Sequence, residues 1–342
     1  MIRQAVSPEL SVVIPIHNEA PNLEQLYREC TEALERWGRS YELVLVDDGS
    51  TDESFAILKR LYQSDRRLRV VRFRRRFGQT AAFAAGFALA QGRLIATADG
   101  DLQNDPRDLP ALVARVDQGF DIVCGWRKDR KDAFLNRRLP SMIANRVISW
   151  ATGVRLNDYG CSLKVFRAEV VKPLRLYGEM HRFLPALASE IGVRIAELPV
   201  NHRARVHGRS NYGISRTIRV LLDLMTVKFL LSYSTRPLQI FGLLGMSMGF
   251  VGAVIVAYLA FVKLFGDPAA AARVGERPLL MGGLLLVFTG VQLFTVGLLA
   301  EMLARTYHES QNKPVYVIRE VLDAGLGSDR GQTSNPRGLT PV

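Results

Sequence analysis

Arg93-Leu-Ile-Ala-Thr-Ala-Asp-Gly-Asp101 joins a short apolar run to an abrupt pair of carboxylates. About fifty residues earlier, Tyr41-Glu-Leu-Val-Leu-Val-Asp-Asp-Gly-Ser-Thr-Asp52 has the same form. Each apolar run reads as a buried strand, and each acidic cluster stands where that strand ends. Ligands of open α/β sheets bind beyond the carboxyl ends of the strands. Two acidic clusters at two such ends therefore predict one site that holds a polyphosphate through a divalent metal.

The surrounding pattern agrees. Ser11-Val-Val-Ile-Pro-Ile16 is a compact apolar strand. Leu23, Leu26, Tyr27, Cys30, Ala33, Leu34 and Trp37 then recur at helical spacing. Leu43–Val46, Arg69–Phe73, Leu94–Ala98 and Asp121–Gly125 read as further strands, and Glu53–Gln63, Thr80–Gln91 and Leu109–Gln118 as helices. Thr51 and Asp52 stand where a cap for the second helix is needed. Strict alternation of this kind predicts an α/β, Rossmann-like, mainly parallel sheet with helices on both faces. His17-Asn18-Glu19 follows the first strand where a glycine-rich dinucleotide loop would stand, and the chain holds no Walker A sequence.

Apolar residues make up 48% of the 342, which excludes a disordered chain. The net charge of +12 suits nucleic acid, an anionic membrane or a phosphorylated substrate. Two uncharged runs, Leu238–Val262 and Leu279–Ala300, choose among these. Each is long enough to cross a hydrocarbon core of ~30 Å, and nucleic-acid binding would leave them unexplained. Lys263–Pro278 joins them, so they read as a hairpin. Arg216, Arg219, Lys228 and Arg236 precede the hairpin, and Arg305, Lys313 and Arg319 follow it, which places both termini on the cytoplasmic side. Gln239, Thr289, Gln292 and Thr295 inside the spans read as helix–helix hydrogen-bonding groups. Ala133–Ala151 and Ile214–Tyr233 mix arginine or lysine with large apolar residues, as interfacial amphipathic helices do. The expected organisation is a catalytic domain over 1–213, an interfacial helix over 214–236, the hairpin over 237–304 and a tail over 305–342 that ends disordered. Cys30, Cys124 and Cys161 form no metal-binding spacing and suit a reducing compartment, with Cys30 in the core.

Asp99 and Asp101, two apart at a strand end, can aim both carboxylates to one side. They suit Mg²⁺ or Mn²⁺ bridging a diphosphate. Asp48 can accept from a base N–H or a ribose hydroxyl, and Pro15-Ile-His-Asn-Glu19 bounds the other side of a nucleoside slot.

Pro15-Ile-His-Asn-Glu19, Val46-Asp-Asp-Gly-Ser-Thr-Asp52, Arg76-Phe-Gly-Gln79 and Ala98-Asp-Gly-Asp-Leu-Gln103 together resemble the family 2 glycosyltransferases of the GT-A fold. Asp158-Tyr-Gly-Cys-Ser-Leu-Lys164, Arg205-Val-His-Gly-Arg-Ser-Asn-Tyr212 and the hairpin narrow the resemblance to the polyprenyl-phosphate glycosyltransferases. That group includes dolichol-phosphate mannose synthases and bacterial undecaprenyl-phosphate glucosyl- and aminoarabinosyltransferases. It implies a nucleotide-sugar donor, a polyprenyl (undecaprenyl) phosphate acceptor and inversion at the anomeric carbon. By the same resemblance, Pro15, His17, Glu19 and Asp48 line the nucleoside pocket, with Gln79 in the donor-binding set. Asp99 and Asp101 hold the metal, and Gln103 sits near the donor sugar. Arg127, Arg137 and Ser141 meet the acceptor phosphate, while Arg205 and Ser210 touch the donor diphosphate. Asp158 serves either acceptor-side catalysis or structure. The group often has Tyr where this chain has His17, and many members have Lys where it has Asn211.

The resemblance implies a bacterial inner-membrane enzyme of cell-envelope glycan synthesis, self-associating to as much as a tetramer. UDP-glucose is the expected donor, with GDP-mannose or a UDP-modified arabinose as alternatives. Two rival readings remain at this stage. A processive polysaccharide synthase would show Gln-x-x-Arg-Trp after the carboxylate pair and more spans; this chain has neither. A membrane-anchored module that binds nucleotide or anionic lipid without turnover would have no use for Asp48, Asp99 and Asp101 together.

Overall fold

The computed structural model describes residues 7–128, 145–146, 148–149, 152–176, 180–203, 237–266, 275, 278–310 and 316–323. The chain runs β1 (Leu10–Ile16), α1 (Ala20–Trp37), β2 (Tyr41–Asp47), α2 (Ser54–Ser64), β3 (Leu68–Phe73), α3 (Gln79–Leu89), β4 (Leu94–Thr97), α4 (Leu109–Asp117) and β5 (Ile122–Trp126), as the periodicity predicts. Then come β6 (Lys164–Arg167), the short helices α5 (Ala168–Val171) and α6 (Leu184–Ser189), and β7 (Ile195–Pro199). Two long helices, α7 (Pro237–Phe265) and α8 (Pro278–Ser310), and a last strand, β8 (Ile318–Leu322), complete it.

The strands form one sheet in the order β7-β5-β6-β4-β1-β2-β3-β8. β1 pairs in parallel with both β2 and β4, and β2 with β3, because a helix carries the chain back across the sheet between these strands. β6 runs antiparallel between β4 and β5, and β8 runs antiparallel along β3. Neither β6 nor β8 was foreseen from the periodicity. β6 has only four residues and β8 reads Ile-Arg-Glu-Val-Leu, too short or too charged to announce a strand.

Alternate residues of β1 serve opposite faces, as a pleated strand requires. Leu10, Val12, Ile14 and Ile16 enter a core with Leu23, Leu26, Cys30 and Leu34 of α1 and Leu109, Leu112 and Val116 of α4. Val13 points the other way and meets α3 so closely that a Cβ on Gly86 would lie 2.1 Å from its Cγ1. The small residues of α3 are there to allow that approach. Burial pushes the Cys30 thiol up to about 12, so it is an unreactive core group. The N-cap of α2 is Glu53, with no side-chain cap bond, where Thr51 or Asp52 was expected. Asp52 instead ties the turn before α2 to α1, its Oδ1 accepting from the Ser54 N–H at 3.0 Å and its Oδ2 from the Ala20 N–H at 3.2 Å.

The chain divides into two compact units, 1–227 with 314–342, and 228–313. In the second unit, Phe241–Phe265 and Pro278–Ala300 are long and apolar enough to cross a membrane. Phe250, Leu285 and Phe288 stand exposed on them, as side chains facing lipid do. The two helices fit a hairpin and touch at glycines: a Cβ on Gly252 would lie 2.7 Å from the Gly283 carbonyl oxygen. The Thr295 hydroxyl bonds back to the Val291 carbonyl at 2.9 Å in its own helix, a contact within α8 where helix–helix bonding was expected. Ile214–Tyr233 and most of Ala133–Ala151 lie outside the described residues.

Candidate active site

β4, β1 and β2 are neighbours, so their carboxyl ends put three loops side by side. The first loop is His17-Asn18-Glu19, the second Asp48-Gly49-Ser50, and the third Asp99-Gly100-Asp101. The first and second are stitched together. The Asn18 and Glu19 N–H groups donate to the Ser50 and Ser54 hydroxyls, both at 3.0 Å, and Asn18 Oδ1 accepts from the Thr51 N–H at 2.9 Å. His17 Nδ1 lies 2.9 Å from the Asp48 carbonyl oxygen. A carbonyl only accepts, so Nδ1 carries the proton. The third loop packs against the first, since a Cβ on Gly100 would fall 2.8 Å from Ile16 Cδ1 and 3.2 Å from the Pro15 carbonyl oxygen.

Asp48 is 3% exposed. Its Oδ1 accepts from the Phe77 N–H at 2.6 Å and its Oδ2 from the Gly78 N–H at 2.9 Å. Burial raises its pKa, partly offset by those two backbone donors. The carboxylate expected to meet a nucleoside thus first organises the turn before α3, and that turn in turn presents Gln79. Gln79 opens α3 and its Nε2 donates to Asp99 Oδ1 at 2.7 Å. Asp47, fully buried, accepts from the Ser50 N–H at 2.9 Å and lies 3.5 Å from Arg72 Nε.

Asp99 is the hub of the third loop. Its N–H donates to Asn104 Oδ1 at 2.9 Å, and its Oδ2 accepts from the Ser162 hydroxyl at 2.6 Å. Burial and then the charge of Asp101 raise the Asp99 pKa; the Ser162 hydrogen bond, Arg127 and Lys164 lower it in part. Asp101 is 5% exposed, and its Oδ1 accepts from the Gln103 N–H at 3.2 Å. Gln103 is clamped by the segment ahead of Arg205: its carbonyl accepts from the Arg203 N–H at 3.0 Å. Arg203 also pairs with Asp105 at 2.8 Å and with Glu29 of α1.

Asp99 and Asp101 fit a divalent metal. They are hard oxygen donors, and the charge of Asp101 raises the Asp99 pKa, an effect that a bound cation would offset. Among the described residues no third acidic, histidine or cysteine side chain joins them. A divalent cation held by two carboxylates would leave positions free for phosphate oxygens and water.

On the other side of Asp99, Arg127 is held by Asp158, Nε to Oδ2 at 2.7 Å and Nη2 to Oδ1 at 2.9 Å. Glu197 accepts the N–H groups of Asn157 and Asp158 and fixes that turn. Buried Lys164 donates to the carbonyl oxygens of Tyr159 and Cys161. Arg137, Ser141, Arg205 and Ser210 lie outside the described residues. Pro15, His17, Glu19, Asp48, Gln79, Asp99, Asp101 and Gln103 converge on the same three loops, and Arg127 and Asp158 border them. Ser162, Asn104 and Arg203 were not anticipated. Ser162 lies inside the Asp158–Lys164 motif, which was its one visible signal.

The family model described as glycosyl transferase family 2 matches residues 11–174. The dodecaprenyl-phosphate galacturonate synthase of Rhizobium johnstonii is 46% identical over 322 residues, covering 93% of this chain and 94% of that protein. The undecaprenyl-phosphate 4-deoxy-4-formamido-L-arabinose transferase of Edwardsiella ictaluri is 38% identical, covering 92% and 94%. Among solved structures, the glucosyl-3-phosphoglycerate synthase of Mycobacterium tuberculosis, in complex with Mn²⁺, UDP and phosphoglyceric acid, superposes with a TM-score of 0.52 at 18% identity. That match covers 65% of this chain and 78% of the other, and extends to the fold.

Proposed function

Because the chain belongs to glycosyl transferase family 2, we propose that it moves a glycosyl group from a nucleoside-diphosphate sugar to a polyprenyl phosphate at a membrane surface. The observation that carries this reading is the meeting of the Asp48, Asp99 and His17 loops at three neighbouring strand ends. One loop set supplies a nucleoside slot, and the carboxylate pair supplies a diphosphate anchor. Two relatives of nearly full coverage are named for polyprenyl-phosphate sugar synthesis, which supports the acceptor class.

In this reading His17, Glu19 and the Asp48 loop receive the nucleoside. Asp99 and Asp101 hold Mg²⁺ or Mn²⁺, which when bound screens the charge that builds on the departing nucleoside diphosphate. Gln79 and Ser162 hold the Asp99 carboxyl in place by hydrogen bonds, and the Ser162 bond favours its ionised form. Gln103, fixed through Arg203, sits where the donor sugar would lie. A polyprenyl phosphate is already anionic near neutral pH, so it attacks the anomeric carbon without a strong general base, with inversion. Arg127 steers that phosphate with its planar fork, together with Arg137 and Ser141; Arg205 and Ser210 touch the donor diphosphate.

Of the possible donors we favour a UDP-uronate over UDP-glucose, since the 46% identical relative is named for galacturonate. UDP-glucose and a UDP-modified arabinose are the next to test. β8, which follows the apolar hairpin in sequence, joins the sheet built by the residues before it. An even number of crossings is the simplest way to meet that constraint, and the flanking basic residues favour the cytoplasmic side.

The test is transfer from a panel of radiolabelled nucleotide sugars to undecaprenyl phosphate in detergent, with Mg²⁺, with Mn²⁺ and with EDTA. Label that enters the lipid phase and is lost with EDTA supports both donor and metal assignments. Transfer that persists in EDTA would remove the metal from the reaction. Label that appears only in a soluble acceptor would refute the polyprenyl phosphate.

A further inference from the structure

The segment beyond the apolar hairpin reaches the donor side of the site. Tyr316 follows the end of α8, Ser310, by six residues and leads into β8. The two ends of β8 are tied differently. At the far end Asp323 pairs with the buried Arg69 at 3.0 Å. At the near end the Arg74 N–H donates to the Val317 carbonyl at 3.1 Å. There the Tyr316 ring stacks on Phe73, centroids 5.2 Å apart and planes at 13°.

Phe73 is buried, and Phe77 meets its ring edge-on at 5.6 Å and 87°. Phe77 is the residue whose N–H donates to Asp48. The turn that follows β3 lies flush on the Asp48 loop: a Cβ on Gly49 would sit 2.5 Å from the Arg75 carbonyl carbon and 2.6 Å from the Arg76 nitrogen. Tyr316, Phe73, Phe77, Asp48 and His17 thus form one unbroken line of contacts.

We propose that Tyr316 is a positioning residue for the nucleoside side of the donor site. By packing on Phe73 it sets Phe77, which brings the Phe77 and Gly78 N–H groups onto Asp48 and so fixes the slot between Asp48 and His17. The proposal rests on the donor-pocket reading above. It makes the chain after the hairpin a part of the donor site, although no sequence motif marks it.

The experiment uses the full-length protein in detergent and the variants Tyr316→Ala, Tyr316→Phe, Phe77→Ala and Asp323→Ala. UDP and GDP affinity is read by calorimetry, amide exchange of residues 74–78 by mass spectrometry without nucleotide, and Tm alongside. Tyr316→Ala is expected to weaken nucleotide binding about fivefold, the scale of one lost aromatic pair. It should also speed exchange at 74–78. Tyr316→Phe keeps the ring and should behave as wild type. Asp323→Ala loosens the same strand at its other end, and should lower Tm while leaving affinity and exchange at 74–78 unchanged. Tyr316→Ala combined with Phe77→Ala should be no worse than the weaker single variant, as a shared path requires. Wild-type exchange at 74–78 in Tyr316→Ala would overturn the proposal, and so would equal loss of affinity in Tyr316→Ala and Asp323→Ala. A wild-type protein that binds neither nucleotide would instead sink the donor-pocket reading, and the exchange measurement would still decide the role of Tyr316.

Discussion

Asp158 grips Arg127 through both carboxylate oxygens, at 2.7 and 2.9 Å, with the acid 2% exposed and the guanidinium 19% exposed. Burial works against the arginine's charge, but the hydrogen bonds and charge of Asp158 outweigh it and raise the arginine's pKa. The cation that would meet an incoming phosphate is therefore already oriented before any ligand arrives. A planar fork matched to a carboxylate leaves its remaining N–H groups pointing in one fixed direction.

Removing the acid should thus cost both fold and turnover. Asp158→Ala leaves a largely buried arginine without its partner and is expected to destabilise by about 2–4 kcal/mol, a Tm loss of roughly 5–10 °C. Arg127→Lys should fail to restore activity, because an ammonium cannot make the two-pronged contact. Thermal melts beside steady-state kinetics check this. A variant of Asp158 with wild-type Tm but no turnover would assign the acid to acceptor chemistry instead.

Ser162 gives a pH-dependent prediction. Its hydroxyl lowers the Asp99 pKa, against burial and Asp101, which raise it. Ser162→Ala removes the lowering contribution, so the Asp99 pKa rises further and the ionised form is reached at higher pH. The acidic limb of the kcat/KM profile should move to higher pH, with about a tenfold loss at mildly acidic pH, the scale of one charge-assisted hydrogen bond. Ser162→Thr keeps a hydroxyl and should hold the limb in place. A limb unchanged in Ser162→Ala would separate Asp99 ionisation from turnover.

The sheet was largely legible from periodicity because β1 to β5 are apolar runs bounded by turn residues. β8 was not, since Arg319 and Glu320 sit on an edge strand whose pairing depends on β3, more than two hundred residues earlier. In the site, Asp48, Asp99 and Asp101 announced themselves by lying at strand ends. Ser162 and Arg203 act through tertiary contacts to Asp99 and Asp105, and a serine or an arginine in a loop carries no local mark of that. Arg127 was visible as a cation, but its partner Asp158, thirty-one residues on, became visible only in the fold.

Asp99 should also trade stability for function. Its pKa is raised above the ordinary 3.8 in the folded state, so ionising it costs more there than in the unfolded chain. That cost is absent below the unfolded value, builds as pH rises from there to the raised one, and is complete above it. Asp99→Asn removes it, and the metal-free variant should melt higher than wild type near neutral pH, with the advantage fading toward pH ~4. Turnover should be lost. Adding Mg²⁺ or Mn²⁺ should raise the wild-type Tm and leave that of Asp99→Asn unmoved. A variant that melts lower than wild type at every pH would show that the hydrogen bonds from Gln79 and Ser162 outweigh the charge.

The hairpin offers a prediction that depends on geometry alone. A Cβ on Gly290 would lie 2.5 Å from the Gly245 carbonyl oxygen and 2.7 Å from the Gly249 nitrogen. Both are backbone atoms, so no side chain can yield to make room. Apolar helices in a bilayer gain nothing from hiding leucine from lipid, and their association rests on close backbone approach at small residues. Gly290→Leu should therefore force α7 and α8 apart at a cost of about 2 kcal/mol or more. A Cβ on Gly282 meets nothing within 4 Å, although it lies in the same helix. Gly282→Leu adds the same bulk and should be neutral. Melting in detergent distinguishes them: a large drop in Gly290→Leu beside an unchanged Gly282→Leu supports packing at the glycine contact, whereas equal drops would mean that bulk anywhere in α8 is harmful.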